Sequence, residues 1–368
     1  MRIDFVITEL FVGGAERCLT ELAVGLANAG DEVRVFSIGS LPTDERGALV
    51  KRLTDCGIDV SSADANTSLQ VISAYSKLRK WLSKSNADVC QTFLHHANVL
   101  GIFAAKSVGI RTRIAGIRVA ESKGIRCRIE RQALKSSQSV ICVSEAVEKF
   151  AVSKLGCSPS KLTVIPNGVD ANFFAGANRF DWAQIGWPSD AAVSLFVGRL
   201  HPQKGIDLLQ SKVDELAPQG SNRRLLLVGD GPLRAELESW AAKCGHQQVQ
   251  LLGWRPDVAS LMGSSRLIVL PSLYEGMPNV ILEAMASGKP VVCSRIEGSH
   301  ELLRHDWLEQ TFDIGDSQQM TLLASRFLEN AAIATATGAA NQDFVNQHYS
   351  IVSVVKRYQD HYETMLHQ

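Results

Sequence analysis

Short apolar runs, each the length of a buried strand, alternate with amphipathic stretches along almost the whole chain. No other feature of the sequence constrains the fold as tightly. Runs at residues 3–7, 33–38, 89–93, 113–117, 140–143 and 162–165 read as strands. Between most of them the apolar residues change to a helical period: Leu19, Leu22, Ala23 and Leu26 fall on one helix face, and Gly30 follows as a stop signal. Repeated strand–helix–strand order with strands apolar on both faces predicts a parallel sheet covered by helices on either side.

The pattern breaks once. Residues 166–190 are rich in Asn, Gly, Asp and Phe, have weak periodicity and read as a linker at a domain boundary. A second series follows, with strands expected at 193–197, 225–228, 249–252, 267–270 and 291–293 and helices at 232–242 and 280–286. The chain closes in a helical run at 351–366. The fold class expected is α/β, two doubly wound Rossmann-like domains facing across a cleft. The first is expected to comprise residues 1–168, with the closing helix at 350–368 packing back on it, and the second residues 169–349. Such sheets bind ligands beyond the carboxyl ends of their strands, so the loops after strands should carry the site.

Composition removes several function classes. Lys plus Arg and Asp plus Glu both number 38 in 368 residues, so no global charge favours nucleic acid as a partner. The eight cysteines show no Cys-x-x-Cys spacing, which argues against a zinc knuckle or a thioredoxin-type site. Cys90, Cys142 and Cys293 lie in apolar runs and read as core residues, in keeping with a reducing, cytoplasmic setting. The apolar run at the amino terminus is short for a signal peptide, and no window is long and apolar enough for a membrane span.

Four segments could carry chemistry. In Gly198-Arg199-Leu200-His201-Pro202-Gln203-Lys204-Gly205 an expected strand ends in Gly-Arg, and a lysine follows at an expected helix start. Arg offers a planar fork to phosphate oxygens, Lys a point charge and a helix start free N–H groups. A solvated basic pair is the plainer reading, but the position at a strand's carboxyl end favours a site. Glu275-Gly276-Met277-Pro278-Asn279-Val280 precedes Glu283, placing Glu275 before a helix starting near Asn279 and Glu283 two turns inside it. Glu283 could accept hydrogen bonds from a vicinal diol, or be an ordinary helix carboxylate, although Ala284-Met285-Ala286 makes a poorly exposed setting. Gly13-Gly14 lets backbone approach a ligand closely but is not the G-x-G-x-x-G dinucleotide fingerprint. Finally, His95-His96 follows a strand and opens a helix. Adjacent histidines do not point together, and no Asp-x-Asp motif occurs in the chain, so no metal and no cofactor is expected.

With Ser144-Glu145-Ala146, Ile165-Pro166-Asn167-Gly168-Val169-Asp170 and Val228-Gly229-Asp230-Gly231-Pro232, these segments resemble the retaining glycosyltransferases of family 4, which have the GT-B fold. The resemblance covers nearly the whole chain. It implies that Arg199 and Lys204 hold the diphosphate of a UDP- or GDP-linked sugar and that Glu283 binds the ribose. It implies that Glu275 and the backbone of Gly276, Met277, Pro278, Asn279 and Val280 hold the donor sugar and phosphates, with Arg255 in the wall around the base. Gly13 and Gly14 would approach acceptor and phosphates. His96, followed by Ala97-Asn98, matches the family histidine better than His95 does, though the doublet leaves the register open. Catalytic roles are thus expected for His96, Glu275, Arg199 and Lys204.

A nucleotide-sugar epimerase, or a non-catalytic nucleotide-sugar binding protein, is the competing reading. The first needs acid and base groups on both sugar faces. The second should have lost Arg199, Lys204 or Glu275, and all three are present. Between residues 101 and 135, nine Lys and Arg face two Glu. This excess is either a solvated face or a surface for anionic lipid or a phosphorylated acceptor. Arg111, Arg113 and Arg118 flank apolar residues that could pack while the charged heads face outward, and Arg118 is also a candidate acceptor contact. The expectation is a cytoplasmic enzyme, peripheral on the inner membrane surface, that glycosylates a glycan or lipid-linked acceptor in cell-surface polysaccharide synthesis.

Overall fold

The computed structural model describes residues 1–120, 124–303 and 307–368. They form two compact units, one of Met1–Gly168 with Ile351–Gln368 and one of Val169–Ser350.

Unit 1 holds a parallel sheet of β1 (Arg2–Ile7), β2 (Glu32–Ser37), β3 (Asp59–Ser62), β4 (Val89–Phe93), β5 (Thr112–Ile117), β6 (Ser139–Cys142) and β7 (Leu162–Val164), in the order β3-β2-β1-β4-β5-β6-β7. Order reverses between β1 and β4, the switch point where open α/β sheets leave a crevice at their carboxyl ends. Alternate residues of one strand serve opposite faces. Ile3, Phe5 and Ile7 pack with helix Gly14–Asn28 and the closing helix Ile351–Leu366, whereas Val6 packs with helices Val71–Leu82 and His95–Ser107.

The closing helix is fixed to unit 1 by specific bonds. Tyr362 is fully buried and its hydroxyl donates to Gln91 on β4. Arg357 Nη2 donates to the Val164 carbonyl at 2.7 Å and Gln359 Nε2 to Asp31 Oδ2 at 2.8 Å. A Cβ on Gly168 would lie 3.0 Å from Ile351 Cα, so a residue without a side chain lets the helix lie directly on the backbone there.

Unit 2 holds β8 (Ala192–Val197), β9 (Arg223–Val228), β10 (Val249–Leu251), β11 (Leu267–Leu270), β12 (Val291–Ser294) and β13 (Thr311–Phe312), in the order β10-β9-β8-β11-β12-β13. Here the switch point lies between β8 and β11. Strands β8, β9, β11 and β12 are almost wholly buried, as expected for strands covered on both faces.

Of residues 166–190, expected as a linker, 166–168 belong to unit 1 and 169–190 are a folded part of unit 2. They contain helix Ala171–Ala175 and the turn Trp182–Ile185, and the rings of Phe180, Trp182 and Trp187 meet at tilted angles and are buried. The aromatic residues outweigh the turn-forming ones. Cys90, Cys142 and Cys293 are buried core residues, and burial raises the pKa of each thiol. No helix among the described residues is long and apolar enough to cross a membrane.

Candidate active site

In unit 2 the loops after β8 and β11, the two strands flanking the switch point, converge. Lys204 sits in the turn Pro202–Lys204, ahead of the short helix Ile206–Ser211, and forms an ion pair with Glu275. The Ser272 hydroxyl donates to the same Glu275 oxygen at 2.9 Å. Two further bonds bind the loops: Leu273 N to the Gln203 carbonyl and Gln203 Nε2 to the Tyr274 carbonyl, both at 2.8 Å.

Glycine permits this approach. Gly205 has φ +62, and a Cβ there would lie 2.0 Å from the Pro271 carbonyl oxygen. Gly229, after β9, would place a Cβ 1.9 Å from the Gly198 carbonyl oxygen. Both positions combine positive φ with backbone contact, which only glycine meets without strain.

Arg199 follows Gly198 and is exposed, so its guanidinium is available at the end of β8. Gly276, Met277 and Pro278 are buried, and helix Asn279–Ala286 starts directly after them. The Ile281 N–H donates to the Pro278 carbonyl at 3.0 Å, and the partial positive charge of a helix start is a usual setting for an anion. Val280 is the second residue of that turn. Glu283 is buried and lies one turn, not two, beyond the helix start, because the four residues that separate it from Asn279 make about one turn at 3.6 residues per turn. Arg255 lies after β10. Its guanidinium pairs with both carboxylate oxygens of Asp257 at 2.8 and 2.6 Å and lies 5.8 Å from the Phe180 ring. That pairing holds a flat cationic surface in place.

In unit 1, β4 ends at Phe93 and Leu94 has φ 73 and ψ 160. This conformation is nearly confined to glycine, and strain of this kind gathers at functional sites. It turns the chain into helix His95–Ser107 and sets His95 and His96 at its start, their rings 5.3 Å apart. The two differ in setting. His95 Nδ1 lies 2.9 Å from Glu130 Oε2, and the other Glu130 oxygen accepts from Asn98 Nδ2 at 2.9 Å. Asn98 also donates to the Gly116 carbonyl and accepts from Thr92. His96 is exposed. The doublet thus separates into a histidine held by a carboxylate and one at the surface.

Gly13 has an extended backbone, and the space a Cβ would fill is taken by the Glu16 carboxylate, 2.2 Å away. Gly14 begins helix Gly14–Asn28. Burial raises the Glu16 pKa to about 7; Glu9 adds to the shift, while a backbone hydrogen bond and the Arg118 guanidinium oppose it.

Arg118 does not turn outward. It is buried at the end of β5, its guanidinium donates to Asn167 Oδ1 and lies 5.5 Å from the Phe93 ring. Arg113 also turns inward, with Nε on the Ser136 carbonyl at 3.0 Å, and Arg131 donates to the carbonyls of Leu155 and Lys154. Backbone carbonyls at loop ends thus consume charge that the count assigned to a surface. Lys106, Arg111, Arg128 and Lys135 are exposed, while Lys123 and Glu121 lie outside the described residues.

Sequence reasoning missed Glu16, Glu130, Asn98, Asn167 and Ser272 as members of these clusters. Glu16 had a signal, the Gly-Gly-Ala-Glu segment itself. Glu130 had none, because it reaches His95 from 35 positions away. Among the described residues no three His, Cys, Asp or Glu side chains gather to hold a metal ion.

Residues 12–173 match the family described as Glycosyltransferase Family 4, and residues 191–330 that described as Glycosyl transferases group 1. The chain is 28% identical over 304 residues to the UDP-Gal:alpha-D-GlcNAc-diphosphoundecaprenol alpha-1,3-galactosyltransferase of Escherichia coli, covering 78% of each protein. It is 33% identical over 180 residues to an uncharacterized glycosyltransferase of Methanocaldococcus jannaschii, spanning 45% of that protein and 46% of this chain. The crystal structure of Anabaena HepE in complex with UDP-glucose has the same fold, with a TM-score of 0.85 over 99% of this chain and 100% of that one, at 23% identity.

Proposed function

The chain belongs to the group 1, family 4 glycosyltransferases of the GT-B fold, and from this we propose that it is a retaining, metal-independent enzyme that moves a hexose from a UDP-linked donor to a hydroxyl of a lipid-diphosphate-linked glycan. The observation that carries the donor assignment is the Lys204–Glu275 ion pair at the switch point of unit 2, with Arg199 exposed at the end of β8. The uridine and lipid-diphosphate assignments draw on the E. coli relative, whose name specifies UDP-galactose and a diphosphoundecaprenol acceptor.

In the proposed reaction the acceptor oxygen bonds to the anomeric carbon as the bond from that carbon to the β-phosphate oxygen breaks. The acceptor proton passes to the departing diphosphate. Negative charge grows on that diphosphate, and Arg199, Lys204 and the N-terminal turn of helix Asn279–Ala286 stabilise it. Fixed cations of this kind can do the work of a bound metal ion. Glu283 accepts from the ribose hydroxyls, and Arg255 lies against the base. Retention follows from attack on the leaving-group face. In unit 1, His96 and Arg118 serve the sugar and acceptor.

Placement on a membrane surface is part of the same reading. It is supported by the exposed Lys106, Arg111, Arg128 and Lys135, with Ile129 exposed between two of them. Each basic residue near an anionic surface contributes about 1 kcal/mol, enough for salt-sensitive attachment.

The test incubates the protein with UDP-, GDP- and ADP-hexoses and a diphospholipid-linked N-acetylhexosamine. Release of UDP, with an axial new linkage by NMR from an axial donor, is expected. Inversion at the anomeric carbon, or turnover only with GDP- or ADP-sugars, would refute the corresponding part. Co-sedimentation with phosphatidylglycerol vesicles at low salt, lost at high salt and absent with neutral vesicles, is expected for the membrane contact. Equal partitioning throughout would reject that contact alone.

A further inference from the structure

At the amino ends of the unit 2 strands lies a cavity of about 460 Å³ that the transfer reaction does not use. Its wall includes Asp190 and Ala191 just before β8, Arg266 just before β11 and Lys289 and Pro290 just before β12. Arg199 and Lys204 follow the carboxyl end of β8. Six strand residues at about 3.3 Å each separate the two ends, about 20 Å.

Three cations, Arg179, Arg266 and Lys289, line this cavity, and among the described residues Asp190 is the only acid on its wall. The Asp190 carboxylate accepts from Asn222 Nδ2 at 3.3 Å. None of the three cations forms an ion pair among the described residues. Lys289 is half-buried, and burial together with the charges of Arg179 and Arg266 lowers its pKa to about 8. Gathering like charges in a partly desolvated place costs stability unless an anion joins them.

Cations also gather at helix C-termini, which carry partial negative charge. Helices Val258–Ser264 and Asn279–Ala286 do end on this wall. Four carbonyls in their last turns are nevertheless already engaged. Those of Leu261 and Met262 accept from the Ser265 N–H, that of Met285 from Gly288 and that of Ala286 from Gln342. Neither guanidinium is the donor to any of these four carbonyls. The eighteen-residue helix Ala331–His348 begins on the same wall and turns its positive end towards it. Phe174 and Trp182 add apolar surface.

We propose that this cavity is a second ligand site, for a small organic phosphate, distinct from the nucleotide-sugar site. Two guanidiniums and an ammonium match the oxygens of a phosphate dianion. The volume far exceeds that of inorganic phosphate and lies in the range of small-molecule sites. The aromatic wall suits the carbon skeleton of a phosphorylated metabolite.

The experiment titrates ribose 5-phosphate into the full chain by calorimetry, with ribose and inorganic phosphate as controls. It compares wild type, Arg199→Ala/Lys204→Ala and Arg179→Ser/Arg266→Ser. Binding should persist in the first variant and weaken about tenfold or more in the second, whose turnover should stay near wild type. In wild type, saturating ribose 5-phosphate should also protect Lys289 from acetylation, read by mass spectrometry, so an unfolded variant does not decide the result. Loss of binding in the Arg199/Lys204 variant alone would overturn the proposal. So would unprotected Lys289, the absence of binding at millimolar probe, or equal affinity for inorganic phosphate.

Discussion

Lys204 and Glu275, 71 positions apart, form an ion pair that joins the loop after β8 to the loop after β11. The lysine that would face a diphosphate is thus already oriented by the carboxylate that would face the donor sugar. Lys204→Ala should lower kcat about 10²-fold or more, and Arg199→Ala likewise, because each removes charge stabilisation that grows in the transition state. The two partners should not act independently. In the Lys204→Ala background Glu275→Gln should cost much less than it does alone, measured as a double-mutant cycle on kcat/KM. Additive losses would show that the pair does not act as a unit.

Glu283→Ala should act on binding more than on chemistry. Its side chain is buried one turn into helix Asn279–Ala286. Loss of a charged hydrogen-bonding group costs about 1.5–3 kcal/mol, roughly 10- to 100-fold in Kd for the free nucleoside diphosphate. Unchanged affinity by calorimetry would remove the ribose assignment.

Turnover should survive excess chelator, since fixed cations are assigned the role of neutralising the leaving group. The check is initial rate before and after dialysis against EDTA. Abolished activity that manganese restores would place a metal in the reaction.

Glu16 makes stability depend on pH. Burial raises its folded pKa to about 7 from 4.5. Between these values the folded state holds the proton and the unfolded state has lost it, so stability falls as pH rises through this window. Above pH 7 the difference amounts to about 3 kcal/mol. Glu16→Gln should therefore match wild type near pH 4 and exceed it near pH 8 in urea unfolding. A constant difference across that range would contradict the buried-acid assignment.

Gly205→Ala tests the loop junction without touching a charged group. The added methyl would meet the Pro271 carbonyl at 2.0 Å, and φ +62 disfavours any side chain. A stability loss of about 2–4 kcal/mol is expected, with a larger fractional loss of turnover because Lys204 precedes it. A change below about 0.5 kcal/mol would mean that the loops separate easily.

The central strands were legible because burial on both faces demands continuous apolar runs, as in Leu225-Leu226-Leu227-Val228 and Leu267-Ile268-Val269-Leu270. Strand β3, Asp59-Val60-Ser61-Ser62, was not. It sits at the sheet edge, half exposed, and pairs on one side only. Strand β13 has two residues at the opposite edge of unit 2, too few to show a period. Helix starts after strands were visible where Pro278-Asn279 punctuates the chain, which located Glu283 but misjudged its depth by a turn. The charge count between residues 101 and 135 overstated the outward-facing charge because sequence does not show which guanidiniums turn inward. Arg113, Arg118 and Arg131 each find oxygens that only the folded chain brings near.

The position of Tyr362 has a consequence for how the protein is made. Strands β1 to β7 precede Val169–Ser350 in the chain, but the hydroxyl that Gln91 accepts and the ring that covers β4 follow that whole unit, 271 positions after Gln91. Val169–Ser350 can complete its own core from contiguous chain, whereas the earlier segment keeps open the apolar face that Val354, Val355, Tyr358 and Tyr362 cover until helix Ile351–Leu366 has followed.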